Sequence, residues 1–497
     1  MRSELFDLLE KRNRVSCSLI ELFQLEDDWL EVKDISLNLD ISDRSTQRYI
    51  HYLEEVIDEY NESEEKHIQM HYEKFKGIKF EFEDSSIEQL KLYIISNDES
   101  LKLLIDLCLL RTEVIKKYSE KNFISVYSIK NSLKKIAPLL NSFKIAVDPG
   151  KLTFVGEEKY IRIFIYSILW SLYKNDSWPF QYIDEQRLYT SIDSIEKSLE
   201  LTFTDIHKKQ MTYFMAICLI RNRKKMYIED FKEWEEYVNV ESLRHNEEII
   251  IKGMNNYQIF SSSEIIFILV VMETKHRMYK SNDIKERVLK YHKKRNSDVY
   301  QLTTLMVEKF QKDFFPIPED SIDIFFTYCF CSHLQCRIFP GINFDLEGYD
   351  IFGHSDTSRH LIEKLHQFIG EMKDDSNRVM LEQEEFLIKK YLPLFSYYES
   401  STIYEPQIEL VIDSDLPFLV RAGVKKRLLG QFEERFNLKM TETVPENQDN
   451  YLVITNMPSL NEEAKNVCVV ESPLRHGDFQ LIEKKLAEKL EQLYLQK

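Results

Sequence analysis

The chain has 497 residues, 43% of them hydrophobic and 12% aromatic, so it is too long for one hydrophobic core and apolar enough to form several. Glycine (11 residues) and proline (12) are scarce, which favours long helices, and seven scattered cysteines argue against the disulfide framework of a secreted protein. The net charge of −18 disfavours nucleic-acid binding only if it is spread evenly along the chain.

The positive charge is concentrated in one stretch. Between Arg111 and Lys151, nine basic residues are interrupted by only three acidic ones, which gives this stretch a local charge of +6. A basic segment in an otherwise acidic chain is typical of one DNA-contacting module attached to a large body that does not touch DNA.

Residues 1–84 form the first predicted module, a winged helix-turn-helix. A helix over 18–30 is followed by a short helix over 32–39, a turn at Asp40-Ile41-Ser42, and a helix over 43–57 for which Ser42 is the predicted N-cap. Segments 67–75 and 78–82 alternate around Lys76-Gly77 and predict a hairpin wing. The side chains that we expect to face solvent at the start of the last helix are Arg44, Ser45, Thr46, Gln47 and Arg48.

The same order recurs in residues 85–160, the second predicted module. Helices over 100–110 and 113–118 precede a turn over 119–124, and Ser125 caps a third helix that we expect to end near 136 because proline follows at 138. Strands 143–147 and 151–155 predict a second wing around 148–150. The exposed polar residues of this module are Ser125, Tyr127, Ser128, Lys130, Asn131, Lys134, Lys135 and Lys151.

Two such modules in tandem predict binding to double-stranded promoter DNA. Hydrogen-bonding side chains at the start of a recognition helix reach base edges in the major groove. We assign base contacts to Arg44, Gln47 and Arg48 in the first module and to Tyr127, Lys130 and Asn131 in the second. Phosphate contacts are assigned to Lys134, Lys135 and Lys151.

The rest of the chain is predicted to be helical, except for its tail. Apolar helices run through 160–395 and divide into two bundles, 161–253 and 254–400, with a break near 253–256. From 401 to 497, strands at 407–412, 438–443, 451–455 and 467–471 alternate with helices at 417–436 and 478–493, which predicts a small α/β domain with a parallel sheet. The predicted fold class is therefore mainly α and multidomain.

This order of parts resembles the Mga/AtxA group of virulence regulators of Gram-positive bacteria. The most specific local similarity is the segment KLTFVGEEKYIRIF at 151–164, which is similar to that group's wing strand and its entry into the first regulatory domain. The resemblance implies two helix-turn-helix domains, two phosphotransferase-system regulation domains and a C-terminal domain like enzyme IIB.

The resemblance also implies regulation, partners and a biological role. Transient contact with a phosphocarrier protein of the sugar phosphotransferase system would phosphorylate histidines, for which the candidates are His207, His276 and His333, with His360 and His366 as further positions. A homodimer would form through the C-terminal domain, and the protein would activate virulence or carbohydrate-responsive genes. The strand at 408–412 is followed by Asp413-Ser414-Asp415 and not by the cysteine of an active enzyme IIB, so this domain is expected to serve packing or dimer contacts.

Several other kinds of site lack a signature in the sequence. Cys329, Cys331, His333 and Cys336 do not have the paired spacing of a zinc site, no nucleotide-binding or hydrolase motif occurs, and we expect no metal, cofactor or catalytic residue. No apolar run approaches the ~20 residues of a membrane span, so we expect a cytoplasmic protein without a membrane partner. The alternative function is a phosphotransfer or protein-interaction scaffold whose helix-turn-helix units are only structural.

Overall fold

The computed structural model describes residues 2–25, 29–64, 67–73, 76–81, 84–175, 178–198, 201–229, 234, 236–238, 262–347, 358–445, 449–457, 466–471 and 473–495. The chain divides into two compact units, Met1–Arg295 with Phe344–Gly348, and Asn296–Asn343 with Tyr349–Lys497. Within the described ranges, no helix combines the length and the apolar character needed to cross a membrane.

The first unit begins with a winged helix-turn-helix. Leu30 pairs with Ile78 and so adds a bridge to the hairpin, while Phe23 stacks on Phe80 with ring centroids 5.6 Å apart. These contacts fasten the wing to the rest of the module through two buried side chains of its second strand, Ile78 and Phe80. The elements are α1 (Arg2–Leu8), α2 (Lys11–Leu25), α3 (Val32–Asn38), α4 (Asp43–Glu64), β1 (Gln69–Glu73) and β2 (Gly77–Glu81).

A second winged helix-turn-helix follows, with one departure from prediction. The elements are α5 (Asp84–Asn97), α6 (Glu99–Cys108), α7 (Ile115–Asn122), α8 (Val126–Ser142), β3 (Ala146–Asp148) and β4 (Thr153–Val155). The prediction that Pro138 ends the third helix is wrong, because α8 continues to Ser142. Leu139 and Leu140 are buried beyond the proline, and burial of two leucines is worth about as much as the roughly 3 kcal/mol that a proline costs inside a helix.

Five further α-helices lie among the described residues of the first unit, and buried charged side chains connect three of them. They are α9 (Glu158–Tyr173), α10 (Glu185–Ser198), α11 (Asp205–Arg223), α12 (Ser262–Glu273) and α13 (Asn282–Arg295). Arg162 of α9 is fully buried and forms a bidentate pair with Glu264 of α12 at 2.6 and 2.8 Å. Glu158 accepts from Arg162 at 3.0 Å and from Arg221 of α11 at 2.7 Å, so one polar network ties three helices together.

The second unit joins a helical part to a parallel sheet. The elements are α14 (Asp298–Asp313), α15 (Ile322–Ile338), α16 (Arg359–Met372), α17 (Arg378–Leu381), α18 (Glu384–Tyr398), β5 (Ile408–Asp413), α19 (Phe418–Phe432), β6 (Leu438–Thr441), β7 (Tyr451–Thr455), β8 (Val467–Val469) and α20 (His476–Leu495). The strand order is β6-β5-β7-β8 and all neighbours are parallel, as the alternation of the tail predicts. Leu410 and Leu452 of the sheet share one core with Phe432 and Leu486 of the helices.

The predicted fold class, mainly α and multidomain, is confirmed by these elements. The predicted break near 253–256 lies outside the described residues. The boundaries of the five predicted domains stay predictions. The first unit continues to Arg295, so α12 and α13, which the sequence placed with the second bundle, pack with the first unit.

Candidate DNA-binding surface

The two modules build their turns on the same backbone frame. Asp40 in the first turn and Phe123 in the second both adopt the left-handed conformation, with φ of 49° and 56°. The following isoleucines, Ile41 and Ile124, each donate their N–H to a serine carbonyl five residues back, in both cases at 3.1 Å. A constant offset of 83 residues relates the modules from the turn into the recognition helix.

Serine caps begin both recognition helices, as the sequence predicts. Ser42 Oγ accepts a hydrogen bond from the Ser45 N–H at 3.3 Å, and Ser125 Oγ accepts one from the Ser128 N–H at 3.0 Å. Each cap satisfies a backbone donor that the helix itself leaves unpaired. The first residues of α4 and α8 are therefore fixed in direction, which a surface that contacts base edges requires.

The first module exposes three of its predicted DNA-contacting side chains fully. Arg44, Gln47 and Arg48 are exposed and Ser45 is half-buried. The expectation that Thr46 faces solvent is wrong, because Thr46 is completely buried and its hydroxyl donates to the Ser42 carbonyl at 3.2 Å. Position 46 therefore lies on the core face of α4, between the exposed positions on either side.

The predicted contact positions of the second module have nearly the same distribution of exposed and half-buried side chains, except that Asn131 is half-buried where Arg48 is exposed. Tyr127 is 76% exposed, Ser125, Lys130, Lys134 and Lys135 are exposed, and Ser128 and Asn131 are half-buried. The Ser128 hydroxyl donates to the Glu99 carboxylate, which holds the start of α8 against α6. The structure thus brings all the predicted contact residues of α8 to the surface or its margin.

Phe123 is a surface residue that the sequence analysis missed. Its ring is 97% exposed at the turn before α8. The signal that could have found it is the repeated Ile-Ser pair at 41–42 and 124–125, which aligns Phe123 with Asp40 and marks both as left-handed turn positions. Asparagine or glycine adopts that conformation far more readily than phenylalanine, so the backbone conformation of the turn does not explain a phenylalanine at this position.

The two wings are fastened to their modules by different residues. Gly77 has φ of +100°, and a Cβ there would lie 2.1 Å from the Leu30 carbonyl oxygen, so no side chain fits. In the second wing, the Asp148 carboxylate accepts the N–H groups of Lys151 and Gly150, and these bonds lower its pKa. The side chain of Lys151 is exposed at the tip of this wing.

The three candidate phosphorylation sites occupy different surroundings. His207, in the first turn of α11, and His276, at the start of a short 3-10 turn, are half-buried. His333 is completely buried, with Nδ1 2.8 Å from the Thr303 hydroxyl and Nε2 2.7 Å from the Tyr391 hydroxyl. Burial lowers the pKa of His333 to about 3. An acceptor needs one accessible nitrogen, so the prediction of His333 as a phosphorylation site does not fit the structure.

His366 has the geometry that His333 lacks. Its Nδ1 lies 2.8 Å from Glu384 Oε2, and its side chain is 39% exposed. Lys373, first, and His366 lower the pKa of Glu384, which keeps that carboxylate ionised as an acceptor for the Nδ1–H. This arrangement fixes the tautomer in which the Nε2 atom carries the nucleophilic lone pair.

In the described part of the chain, no group of three or more His, Cys, Asp or Glu side chains is arranged to hold a metal ion. The seven cysteines are buried and none is in a disulfide, and burial raises the pKa of the Cys329 and Cys336 thiols. Thiols in such surroundings are protonated and act as apolar packing groups.

Comparison with known proteins adds a family and three relatives. Residues 83–169 match the Mga helix-turn-helix domain. The chain is 21% identical to the capsule synthesis positive regulator AcpA of Bacillus anthracis over 297 residues, which are 59% of this chain and 60% of the relative. AcpB, a second capsule synthesis positive regulator of that organism, is 21% identical over 304 residues, with the same coverage of 59% and 60%. The anthrax toxin expression trans-acting positive regulator is 22% identical over 215 residues, 43% of each chain. The chain thus aligns with about 60% of the length of the first two relatives.

Proposed function

We propose that the chain is a member of the Mga/AtxA-like group of regulators. On this proposal it is a positive regulator of transcription that binds promoter DNA through both helix-turn-helix modules. The observation that carries the proposal is the repeated frame, in which equivalent positions of α4 and α8 face solvent with hydrogen-bonding side chains. The alignment with capsule and toxin regulators supports a role in virulence genes. We propose accordingly that the protein acts in the cytoplasm.

The proposed contacts divide into two kinds. Arg44, Gln47 and Arg48 of α4, together with Tyr127, Lys130 and Asn131 of α8, contact base edges. Lys134, Lys135 and Lys151 contact phosphates, because all three are exposed in a module with a local excess of positive charge.

A salt-titrated binding assay tests this proposal. The wild type and a variant with Lys130, Lys134 and Lys135 changed to Glu would be titrated onto fluorescent duplexes selected by the wild type from a randomised pool. Binding should weaken steeply with salt in the wild type. The variant should lose about two units of the slope of log K against log salt, close to one for each of the two phosphate contacts of Lys134 and Lys135.

A matched control separates local contact from net charge. Changing Lys290, Lys293 and Lys294 of α13 to Glu alters the net charge by the same amount at three other exposed positions. This control should bind like the wild type. Equal loss in both variants, or no binding of any duplex by the wild type, would overturn the proposal and favour the scaffold alternative.

We propose further that a phosphocarrier protein of the sugar phosphotransferase system phosphorylates the chain on histidine. The site that the geometry supports best is His366, with His207 and His276 as the other accessible candidates. In the transfer, an N–P bond forms at His366 Nε2 as the N–P bond of the carrier's phosphohistidine breaks. The added charge of about −2 would act on the acidic surface around Glu384 and so alter the packing of α16 and α18.

Phosphopeptide analysis under acid-free conditions tests the assignment. The protein would be incubated with phosphoenolpyruvate and the general phosphotransferase proteins, and His207→Ala, His276→Ala and His366→Ala compared. His366→Ala should abolish the modification, and Glu384→Gln should slow it because the tautomer is no longer fixed. Unchanged modification in His366→Ala would refute this site.

Homodimer formation through the C-terminal domain is the last part of the proposal. Phe418, Leu419 and Val420, at the start of α19, are 73%, 80% and 49% exposed, and Met457 is 57% exposed. These residues follow β5 and β7, which are parallel neighbours, so they lie at one edge of the sheet. A row of apolar side chains at a surface supports a protein contact, and a second copy can present the same row to it about a twofold axis.

Sedimentation velocity of the full chain tests the dimer. Changing Phe418 and Leu419 to Ser should shift the protein from dimer to monomer, whereas Tyr182→Ser, which removes a side chain 86% exposed in the first unit, should not. A monomeric wild type, or a dimer that survives the double change, would refute this surface.

A further inference from the structure

A chain of hydrogen bonds joins the two recognition helices. The Tyr52 hydroxyl of α4 donates to Asn13 Oδ1 at 2.8 Å, and Asn13 Nδ2 donates to Asp98 Oδ2 at 2.9 Å. Asp98 Oδ1 accepts the backbone N–H of Ser100 at 3.1 Å, and the Ser100 hydroxyl donates to Ser132 Oγ of α8 at 3.3 Å. We call these five residues the Asp98 junction.

The junction is buried and its central carboxylate is fully occupied. Asn13, Asp98, Ser100 and Ser132 are 6%, 1%, 1% and 4% exposed. Asp98 also accepts the backbone N–H of Glu10 at 2.8 Å, and it caps the start of α6. A buried carboxylate is stable only while its donors remain in place, so displacement of α2 or α6 would leave charge and polar groups without partners.

The apolar contacts around the junction would tolerate small shifts, but directional hydrogen bonds would not. The polar chain begins on α4 and ends on α8, which are the two helices proposed to enter the major groove. A second bond, from the Ser128 hydroxyl of α8 to the Glu99 carboxylate of α6, lies beside the Ser100–Ser132 bond. Two side-chain hydrogen bonds therefore join α8 to α6, and sliding of one helix along the other would break both.

We infer that the Asp98 junction fixes the separation and orientation of the two recognition helices, so that the modules contact DNA as one rigid body. The rigidity itself does not depend on DNA binding, whereas its consequence for the DNA target rests on the proposed function. The target should have a single permitted spacing between the segments contacted by α4 and α8, because a rigid body cannot follow a change of helical phase. Asn13 is the positioning residue, since it bridges the first module to Asp98.

The rigidity can be measured without DNA. Nitroxide labels at His51→Cys on α4 and Asn141→Cys on α8 would report the distance between the two helices. Labelling of the seven native cysteines should be low, because all of them are buried. The wild type should give one narrow distance distribution. Asn13→Leu removes the bridge and keeps the number and branching of the side-chain heavy atoms, and it should broaden this distribution. Tyr52→Phe should broaden it less.

Ser16→Ala is the matched control for Asn13→Leu. Ser16 is fully buried on the same helix, and its hydroxyl donates only within α2, to the Arg12 carbonyl at 3.0 Å. The control should keep the narrow distribution. A broad distribution in the wild type, or a narrow one in both Asn13→Leu and Tyr52→Phe, would overturn the inference whatever the DNA assay shows.

The consequence is tested with duplexes selected by the wild type and then lengthened by two or five base pairs between the two protected segments. The wild type should lose about 30-fold in affinity on either insertion, which corresponds to the loss of one module's base contacts. Asn13→Leu should bind the parent duplex more weakly but lose less than about threefold on insertion. Equal tolerance of insertions by both proteins would refute the single spacing, whereas no DNA binding at all would refute the proposed function and leave the distance result to decide the rigidity.

Discussion

The two helix-turn-helix modules share a backbone frame but differ in the charge of their recognition helices. Helix α4 carries seven acidic residues against two basic ones, Arg44 and Arg48, whereas α8 carries three lysines and no acid. The basic residues of α4 lie in its first two turns, and the acids that follow would be repelled by phosphate. If the proposed contacts hold, we expect the first module to approach DNA only through the start of α4. We expect the second to lie along the groove with Lys134 and Lys135 near the DNA backbone.

Equivalent backbone geometry in the two modules therefore does not imply equivalent roles. The turns and caps place Arg44 where the second module has Tyr127, and Gln47 where it has Lys130. We expect the first module to provide sequence discrimination and the second to provide most of the affinity, since affinity follows phosphate contacts and discrimination follows base contacts.

The largest difference in stability should appear when a glycine is replaced in each of the two wings. Gly77→Ala would place a Cβ against the Leu30 carbonyl in a backbone conformation that alanine rarely adopts, at a cost of about 3 kcal/mol. The Ile78 N–H, which donates to Leu30, should then exchange with solvent about 100-fold faster. Gly150→Ala in the second wing meets only the Asp148 side chain at 3.3 Å and should change exchange little. Similar increases in hydrogen exchange after both glycine substitutions would show that the two wings do not differ in this way.

Paired charge reversals should separate affinity from discrimination. Lys134→Glu with Lys135→Glu should weaken binding roughly 30-fold in 0.15 M salt and lower the salt slope by about two units. Arg44→Glu with Arg48→Glu changes the charge equally but should leave the slope nearly unchanged and reduce the preference for the selected duplex over a scrambled one. The division of roles fails if the slope falls equally in both variants.

The two helix caps should differ less, in the free energy by which each stabilises its helix. Ser42→Ala and Ser125→Ala each remove one cap, which is worth about 1 kcal/mol. We expect the larger effect at Ser125, because its hydrogen bond is 3.0 Å long and the bond at Ser42 is 3.3 Å. Hydrogen exchange at the Ser128 and Ser45 amides measures both, and a larger effect at Ser42 would show that distance does not rank the two caps.

The smallest effect concerns the left-handed turn positions. Phe123→Asn should stabilise the second turn by about 0.5 kcal/mol, since asparagine adopts this conformation more readily. The same change should weaken DNA binding, because a side chain that is 97% exposed gains contacts only from a partner. Asp40→Asn in the first module is the control and should alter neither quantity. Unchanged DNA affinity in Phe123→Asn would show that the ring does not touch DNA.

The sequence was sufficient to predict elements whose pattern is local. The caps at Ser42 and Ser125, the wing turns and the alternating strands of the tail depend on residues close together in the chain, so their periodicity and turn chemistry are visible without a structure. The exposed positions of α8 follow from helical spacing for the same reason.

Features that depend on distant contacts were missed or wrong. The extension of α8 past Pro138 depends on which leucines the fold buries, and the unsuitability of His333 depends on Thr303 and Tyr391, 30 and 58 residues away. Asn13 and Asp98 are 85 residues apart, and neither belongs to a motif that indicates a partner. Burial of a polar side chain can be recognised only once its neighbours are known.

The buried pair of Arg162 and Glu264 bears on what happens to prematurely terminated products of the gene. A polypeptide that stops anywhere between residues 224 and 263 would retain both helix-turn-helix modules yet lack Glu264, 102 residues beyond its partner. Loss of one member of a buried ion pair costs about 3–5 kcal/mol, a large share of the roughly 5–15 kcal/mol that stabilises a folded domain. Such fragments should be cleared by cellular proteases and should not persist as inactive competitors for the promoter.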